Sequence, residues 1–489
     1  MVTMRQLFFV AAIALAASAQ DQNFIELPYL QLGDQPHLSA SESLVILWHA
    51  PDIDHAWAVE LRTSKDTEWR AAAAPSFQTA GAPDTKVTLG NPPKEIDVPG
   101  IAPHRVYRAS LTKLVPGEEF RYRVLKAGQP VFSATGHARK AVAQPYRLVL
   151  FGDCAQDTPE QRKVAYQASL AKPDFLFITG DIVYSSGRIS EYRTKYFPVY
   201  NSNTASPEAG APLIRSILFL AAPGNHDTAL RNYTQYPDAL AYFLYWDQPL
   251  NGPVAAVDSP ATAHTLLGNA ESQPAFLEAA RPRYPRMANF SFDYGNAHWT
   301  VLDSNPYMDW QNPALAQWVK DDLASAKNAQ WRFVAFHHPG FNSSVTHFTD
   351  QWMRLLAPVF EQGKVDVVFA GHVHNYQRSF PLTFQPRKQD DGTSKTAKGE
   401  VTGDWTLDKK FQDGQSAKPK GVVYIVSGAG GAHLYNPEQQ ESPQTWQPFT
   451  NKYVAQVNSM SVIDIDGPVF HLKQIDLEGR EVDRFQIAK

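Results

Sequence analysis

The stretch "VDVVFAGHVHNYQR", residues 365–378, lays down an apolar run and breaks it with a glycine and two histidines two positions apart. An apolar run without polar alternation reads as a strand covered on both faces, as in a sheet flanked by helices. Gly371 lets the chain turn sharply as it leaves that strand. In an extended segment residues i and i+2 point to one side, so His372 and His374 are expected to aim at one locus.

The same pattern recurs upstream in "YRLVLFGD" (146–153), "DFLFITGD" (174–181), "SILFLAAPGNHD" (216–227), "HWTVLDSN" (298–305) and "WRFVAFHHP" (331–339). Helical stretches separate these strands: one opened by Thr158-Pro159 with Glu160 in its first turn, others near 314–327 and 350–361. Alternating strands and helices predict an α/β fold. Its polar residues gather just past the carboxyl ends of the strands, where open α/β sheets place ligands. From about 24 to 138 the texture differs, with short runs such as "SLVILWHA" and "AWAVELRT" broken by Pro, Gly and Asp. This predicts a separate β-sandwich. Two stretches read as insertions, 228–286 and the polar, turn-rich 385–419, the latter expected to be a flexible surface loop. The tail returns to strands, with a hairpin signal at Asp466-Gly467.

At 489 residues and 43% apolar composition the chain can fill one large or two to three ordinary cores. The net charge of −4 and the lack of any Lys/Arg run argue against a nucleic-acid partner, so an anionic substrate must be attracted locally. "MVTMRQLFFVAAIALAASAQ" has an early Arg5, an apolar run and a small-residue cleavage site, so 1–19 reads as a signal peptide of a secreted or periplasmic protein. The run is too short for a membrane span, and no later segment reaches that length. Export usually brings disulfides, but Cys154 is the sole cysteine and no internal disulfide can form. Next to Asp153 on a strand end, it is expected to be buried packing.

The candidate chemistry lies in five clusters at strand ends: Asp153; Asp181 and Tyr184; Asn225 and His226; His337 and His338; His372 and His374. Each residue alone could be a turn cap or a surface histidine. Their recurrence at strand after strand points to a metal or acid-base site. On an extended chain His337 and His338 diverge, so only one of them is expected to reach the common locus.

Taken together, Gly152-Asp153, Gly180-Asp181-x-x-Tyr184, Gly224-Asn225-His226-Asp227, Val334-x-x-His337 and Gly371-His372-x-His374 resemble the five-block signature of purple acid phosphatases, within the calcineurin-like metallophosphoesterases. In front of it, "LTKLVPGEEFRYRVLKAG" (111–128) resembles a corner of fibronectin type III-like domains. The resemblance implies a four-layer α/β (α+β) metallophosphoesterase sandwich over 145–489, preceded by an all-β fibronectin type III-like sandwich over 20–140. It also implies that Asp153, Tyr184 and His374 bind a first metal, that Asn225, His337 and His372 bind a second, and that Asp181 bridges them. Two carboxylates and a phenolate suit Fe(III), while an amide and two imidazoles with the shared carboxylate suit a divalent Fe, Zn or Mn ion. The implied activity is hydrolysis of a small phosphorylated substrate, a phosphomonoester, by hydroxide generated on the metals. His226 would donate a proton to the leaving group or contact the phosphate, and His347 falls where plant-type members place another substrate-contacting histidine.

Departures from the pattern are Asp227 where many members have Glu, expected still to orient His226, and His338, expected at the pocket rim or on the surface. His298 and Asp303 match a structural stretch, and "SGAGGA" (427–432) is expected to be a turn beside the pocket. Two other functions are compatible with these residues. One is a phosphodiesterase or nucleotide pyrophosphatase on the same metals; the other is a non-catalytic, metal-stabilised binding protein using the β-sandwich for recognition.

Overall fold

A computed structural model describes residues 23–489 apart from 90–91, 230, 254–264, 391 and 412–417, so the signal-peptide segment lies outside the described residues. Residues 26–137 hold two four-stranded antiparallel sheets and a two-stranded pair, Thr85–Leu89 with Lys94–Val98. Along strand Glu42–Pro51, Leu44, Ile46 and Trp48 face the partner sheet, where they meet Val59, Leu61, Tyr122 and Val124. The burial alternates with the period of two expected of a strand. Leu47, Val106 and Tyr29 face the other way and bury against the following domain.

Residues of the 228–286 insertion, Tyr245 among them, form part of that interface beside Phe197 and Ile214. Tyr29 Oη donates to the carbonyl of Tyr245 at 2.8 Å, His104 Nε2 lies 2.8 Å from Tyr245 Oη, and Arg108 Nε pairs with Asp247 at 3.0 Å. Burial pushes the His104 imidazole down to about 4, so the junction is built around a neutral histidine.

The second part is organised by two facing sheets. We number its main strands β1 (Tyr146–Phe151), β2 (Phe175–Ile178), β3 (Leu218–Ala221), β4 (Phe290–Tyr294), β5 (Ala297–Val301), β6 (Trp331–Ala335), β7 (Val367–Ala370), β8 (Tyr376–Ser379), β9 (Val423–Ser427), β10 (Thr450–Val454), β11 (Ser459–Asp466), β12 (Val469–Asp476) and β13 (Glu481–Ala488). The first sheet runs β3-β2-β1-β11-β12-β13, and the second β4-β5-β6-β7-β9-β8-β10. Strands β1, β2 and β3 are parallel to one another, as are β5, β6, β7 and β9.

Leu148, Leu150, Phe175 and Phe177 face Phe292, Trp299, Phe333 and Phe369 across the space between the sheets. On the outside, helix α1 (Pro159–Ala171) covers Val149, Phe151 and Leu176, while α2 (Pro313–Ser325) and α3 (Ala357–Gln362) cover Val334, Phe336 and Val368. Both faces of each parallel strand are therefore buried, which is why these strands read as unbroken apolar runs. The result is the expected four-layer sandwich. Thr158 caps α1 by accepting from Gln161 N, with Pro159 in the first turn.

One expectation needs correction. Residues 385–419 are not simply a loop: Leu382–Pro386 and Gly403–Leu407 pair as an antiparallel hairpin. Phe384 and Val401 are fully buried, and Val401 O accepts from Arg354 Nη1 at 3.0 Å. The apolar anchors sit singly among polar residues, so the strand period is hidden.

His298 is structural, as expected, and carries a testable consequence. Buried on β5, it donates from Nδ1 to Asp293 at 2.8 Å and from Nε2 to Asp322 of α2 at 3.1 Å. Burial opposes the charged form, but the two carboxylates outweigh it and push the imidazole up to about 9. A folded-state pKa above the unfolded value of roughly 6.5 stabilises fully below that pH and is lost as pH rises through about 9. The pair of bonds then contributes about 3 kcal/mol at pH 6. His298→Gln is expected to lower the thermal midpoint markedly at pH 6 and little at pH 9.5; an equal loss at both would show that His298 acts only by packing.

Candidate metal centre

The carboxyl ends of β1, β2, β3, β6 and β7 converge, and the loops leaving them are short enough to bring their side chains within bonding distance of one another. Asp153 (φ 59°), Asp181 (φ 49°) and His372 (φ 66°) all take the left-handed backbone region, which side chains other than glycine rarely adopt. Such conformations persist only where neighbours fix them, and they gather at functional sites. Here Asp153 N donates to Gly180 O at 3.0 Å, and Asp153 Oδ2 accepts from His372 N at 2.8 Å.

This revises the role of Gly371. The sharp turn after β7 is taken by His372; Gly371 serves instead a close approach, because a Cβ there would lie 2.7 Å from Asp153 Oδ2. Gly224 is tighter still, with a Cβ 2.1 Å from Asp181 Oδ1.

Two groups of donor atoms result. In the first, Tyr184 Oη lies 3.1 Å from Asp153 Oδ1 and 3.0 Å from His374 Nε2, and His374 Nε2 is 3.3 Å from Asp153 Oδ1. In the second, His337 Nε2 lies 3.2 Å from Asp181 Oδ1 and 3.1 Å from Asn225 Oδ1. Two ligands each roughly 2.1 Å from one ion, at tetrahedral or octahedral angles, lie roughly 3.0–3.4 Å apart. Both groups match that spacing.

The proton inventory fits a cation as well. His337 Nδ1 donates to Thr179 O at 2.9 Å, and His374 Nδ1 donates to His433 O at 2.6 Å. In the neutral ring each Nε2 presents a lone pair beside carboxylate and amide oxygens that also present lone pairs, an arrangement a cation completes. Fixing the far nitrogen on a carbonyl is how proteins orient metal-binding imidazoles. Burial opposes charge on His337, yet Asp181 and Asp153 push it up to about 9, so the field at this point favours positive charge.

His372 belongs to the same cluster by a different route. Its Nε2 lies 3.0 Å from Asp350 Oδ2, leaving Nδ1 as the nitrogen free to meet a metal. Because His372 is left-handed, the rule that i and i+2 share a side does not apply, and the two histidines reach different partners.

The expected divergence of His337 and His338 also fails, since both lie beyond the end of β6 in a bend. His338 is neither at the rim nor on the surface: it is buried, its ring centroid is 4.2 Å from that of His372, and His337, His338 and His372 form one potential metal-holding group. Ser304 Oγ accepts the backbone N–H of both His337 (3.0 Å) and His338 (2.8 Å), which leaves its own proton for His338 Nδ1 at 3.0 Å. Burial, with His372 and His337 beside it, holds His338 well below the usual histidine range.

Two histidines remain partly exposed. His226 donates from its backbone to Asp181 Oδ1 (2.9 Å) and from Nδ1 to Ser185 O (2.7 Å), leaving Nε2 3.9 Å from Asp181 Oδ2. His347 Nδ1 bonds Asp350 Oδ2 at 2.9 Å, and its ring centroid is 3.9 Å from that of His372. The structure thus brings all nine expected site residues together.

Asp227 does not orient His226. Its carboxylate accepts from Gly224 N at 2.8 Å and Ile182 N at 3.0 Å, stapling the loops after β2 and β3 to each other. Burial and the charge of Asp181 push it up to about 7. Cys154 is fully buried with its sulfur 3.4 Å from Ile182 O, and burial pushes the thiol far up, as packing requires. Residues 427–432 turn beside the pocket, where Ala432 N donates to Asp153 O at 2.9 Å.

Sequence reasoning missed Asp350, Ser304 and Tyr435. Tyr435 stacks on His374 with centroids 4.0 Å apart. For Asp350 a signal existed in its position three residues after His347; the other two stand in no recognisable pattern.

Comparison with known proteins bears on the fold and the family. Residues 146–376 match the family model for calcineurin-like phosphoesterases. Purple acid phosphatase 23 of Arabidopsis thaliana is 37% identical over 94 residues, 18% of this chain and 20% of its own length. Probable inactive purple acid phosphatase 27 of the same plant is 25% identical over 366 residues, 68% of this chain and 50% of its own. The chain therefore spans half or less of these relatives. Among solved structures, the purple acid phosphatase PPD1 of yellow lupin superposes with a TM-score of 0.60 at 16% identity, over 94% of this chain and 74% of that one. PhoD superposes with a TM-score of 0.52 at 12% identity, over 94% and 92%. The fold, the converging strand ends and the family match together make residues 146–376 a calcineurin-like phosphoesterase domain, in a chain whose relatives include purple acid phosphatases.

Proposed function

We propose that the protein is a secreted phosphatase that hydrolyses phosphomonoesters at a dinuclear metal centre, in the manner of a purple acid phosphatase. The observation that carries this is the pair of donor groups joined through adjacent strand ends, one of which contains the Tyr184 phenol. Asp153, Tyr184, His374 and Asp181 would hold Fe(III), and Asp181, Asn225, His337 and His372 a divalent Fe, Zn or Mn ion. When bound, such a pair supplies Lewis acidity to a phosphate and acidifies water near neutral pH.

The chain's own residues do the rest. His226 keeps Nδ1–H on Ser185 O, so Nε2 is the atom that carries a proton to the leaving oxygen. His347, anchored through Nδ1 on Asp350, turns its other nitrogen to the substrate. The glycines packed against Asp153 and Asp181 keep the carboxylates where no side chain could intrude. Outside this site, the β-sandwich would be of fibronectin type III type and the first 19 residues would direct export.

Metal analysis and a visible spectrum of the purified protein, with a pH profile on an aryl phosphate, test the proposal. Two ions per chain, one of them iron, with a purple colour and activity in the acid range are expected. A colourless, iron-free protein active at alkaline pH would overturn the iron assignment and favour the phosphodiesterase alternative. A second reading, a metal-stabilised binding protein without catalysis, is favoured by relatives whose names call them probably inactive. An aryl phosphate left intact by the metal-loaded protein at every pH would support it.

A further inference from the structure

Tyr435 lies outside the donor groups yet is held against them. Its ring lies flat on His374, planes 9° apart, and its centroid is 5.7 Å from that of His347. The backbone fixes it there, since Tyr435 N donates to His374 O at 3.0 Å. The segment just after it is tied to the loop carrying His347: Asn436 Oδ1 accepts from Thr346 N at 3.0 Å, and Gln439 Oε1 from Val345 N at 2.9 Å. Both walls of this side of the pocket are thus one braced unit. Within it, the Tyr435 hydroxyl has no hydrogen-bond partner among the described residues. Its ring is thus set between His374 of the first donor group and the partly exposed His347.

We propose that Tyr435 is a substrate-contacting residue whose hydroxyl donates a hydrogen bond to a phosphoryl oxygen held at the metal centre, in the gap between His374 and His347. This rests on the phosphate-binding part of the function proposed above. A neutral donor suits the position: it binds an anionic oxygen without adding a charge that would compete with the metals for Asp153 and Asp181. The edge of its ring then borders the space open to the rest of the ester.

The test compares metal-loaded wild type with Tyr435→Phe, which removes the hydroxyl and keeps the ring on His374. Inorganic phosphate is titrated by calorimetry, and kcat/KM is measured on an aryl phosphate. Phosphate affinity is expected to fall about tenfold or more, with metal content unchanged. Affinity within twofold of wild type would overturn the proposal, as would loss of metal, which would make Tyr435 a support for His374. Wild type that binds phosphate but hydrolyses no ester would remove the phosphatase reading while the affinity ratio still decides on Tyr435. Wild type that binds no phosphate would remove both.

Discussion

Asp181→Asn protein is expected to fold, to hold fewer than two metal ions per chain, and to lose more than about a thousandfold in kcat/KM on phosphomonoesters. The reason is the position of one oxygen. Asp181 Oδ1 is 3.2 Å from His337 Nε2 and accepts the backbone N–H of His226 at 2.9 Å, so it touches the second donor group and the candidate proton donor together. The residue is fully buried, and burial alone would push its carboxyl up. His337 and His226 instead hold it well below the usual carboxylate range, so it stands ionised in the fold and ready for a cation. An amide of the same shape keeps the volume and removes the charge. Charge stabilisation by bound metals is worth several kcal/mol, and roughly 4 kcal/mol is a thousandfold in rate. Circular dichroism with an unchanged spectrum would show that the loss is local. Retention of two metals with activity within tenfold of wild type would mean that Asp181 is not shared between them.

How much of this could be seen in the sequence differs between fold and site. The parallel strands were legible because both faces of each are buried, so "YRLVLF" and "VVFA" contain almost no polar interruption. The sandwich was legible from short apolar runs broken by Pro, Gly and Asp. The hairpin of 382–407 was not, because its burial depends on single anchors such as Phe384 and Val401 that meet α3 and Arg354 only in three dimensions.

In the site, the nine side chains were legible as types, since Asp, Asn, His and Tyr offer donor atoms that an apolar strand end otherwise lacks. Their tautomers were not. The groups that fix them are mostly backbone carbonyls, of Thr179, His433 and Ser185, and any residue type has a carbonyl. Periodicity arguments failed for His337, His338, His372 and His374 for one physical reason: beyond the strand end the chain is no longer extended. His372 in the left-handed region sends the neighbouring side chains in directions a strand never would.

Asp350, which stands outside the five clusters of the sequence, ties two histidines of the site to a single oxygen. Its Oδ2 accepts from both imidazoles, His347 Nδ1 at 2.9 Å and His372 Nε2 at 3.0 Å, and the two rings lie 3.9 Å apart. That oxygen therefore sets the free nitrogen of a candidate metal ligand and that of a candidate substrate contact. Burial works against its charge, but the two histidines outweigh burial and hold the carboxyl well below the usual range.

Asp350→Asn leaves an oxygen able to accept but removes the charge that polarises both rings. Loss of a carboxylate behind a metal-binding histidine costs roughly 10–100-fold in metal affinity or activity. The divalent ion, met by His372, is expected to weaken by that factor, while the iron with its tyrosinate colour stays, because none of Asp153, Tyr184 and His374 touches Asp350. Excess divalent ion should then restore part of the activity, and the remaining deficit should match that of His347→Asn. A variant that binds the divalent ion as wild type does would reduce Asp350 to a rim residue. Simultaneous loss of the iron colour would show instead that the two donor groups are a single mechanical unit, with His372 N–H on Asp153 Oδ2 at 2.8 Å as the link between them.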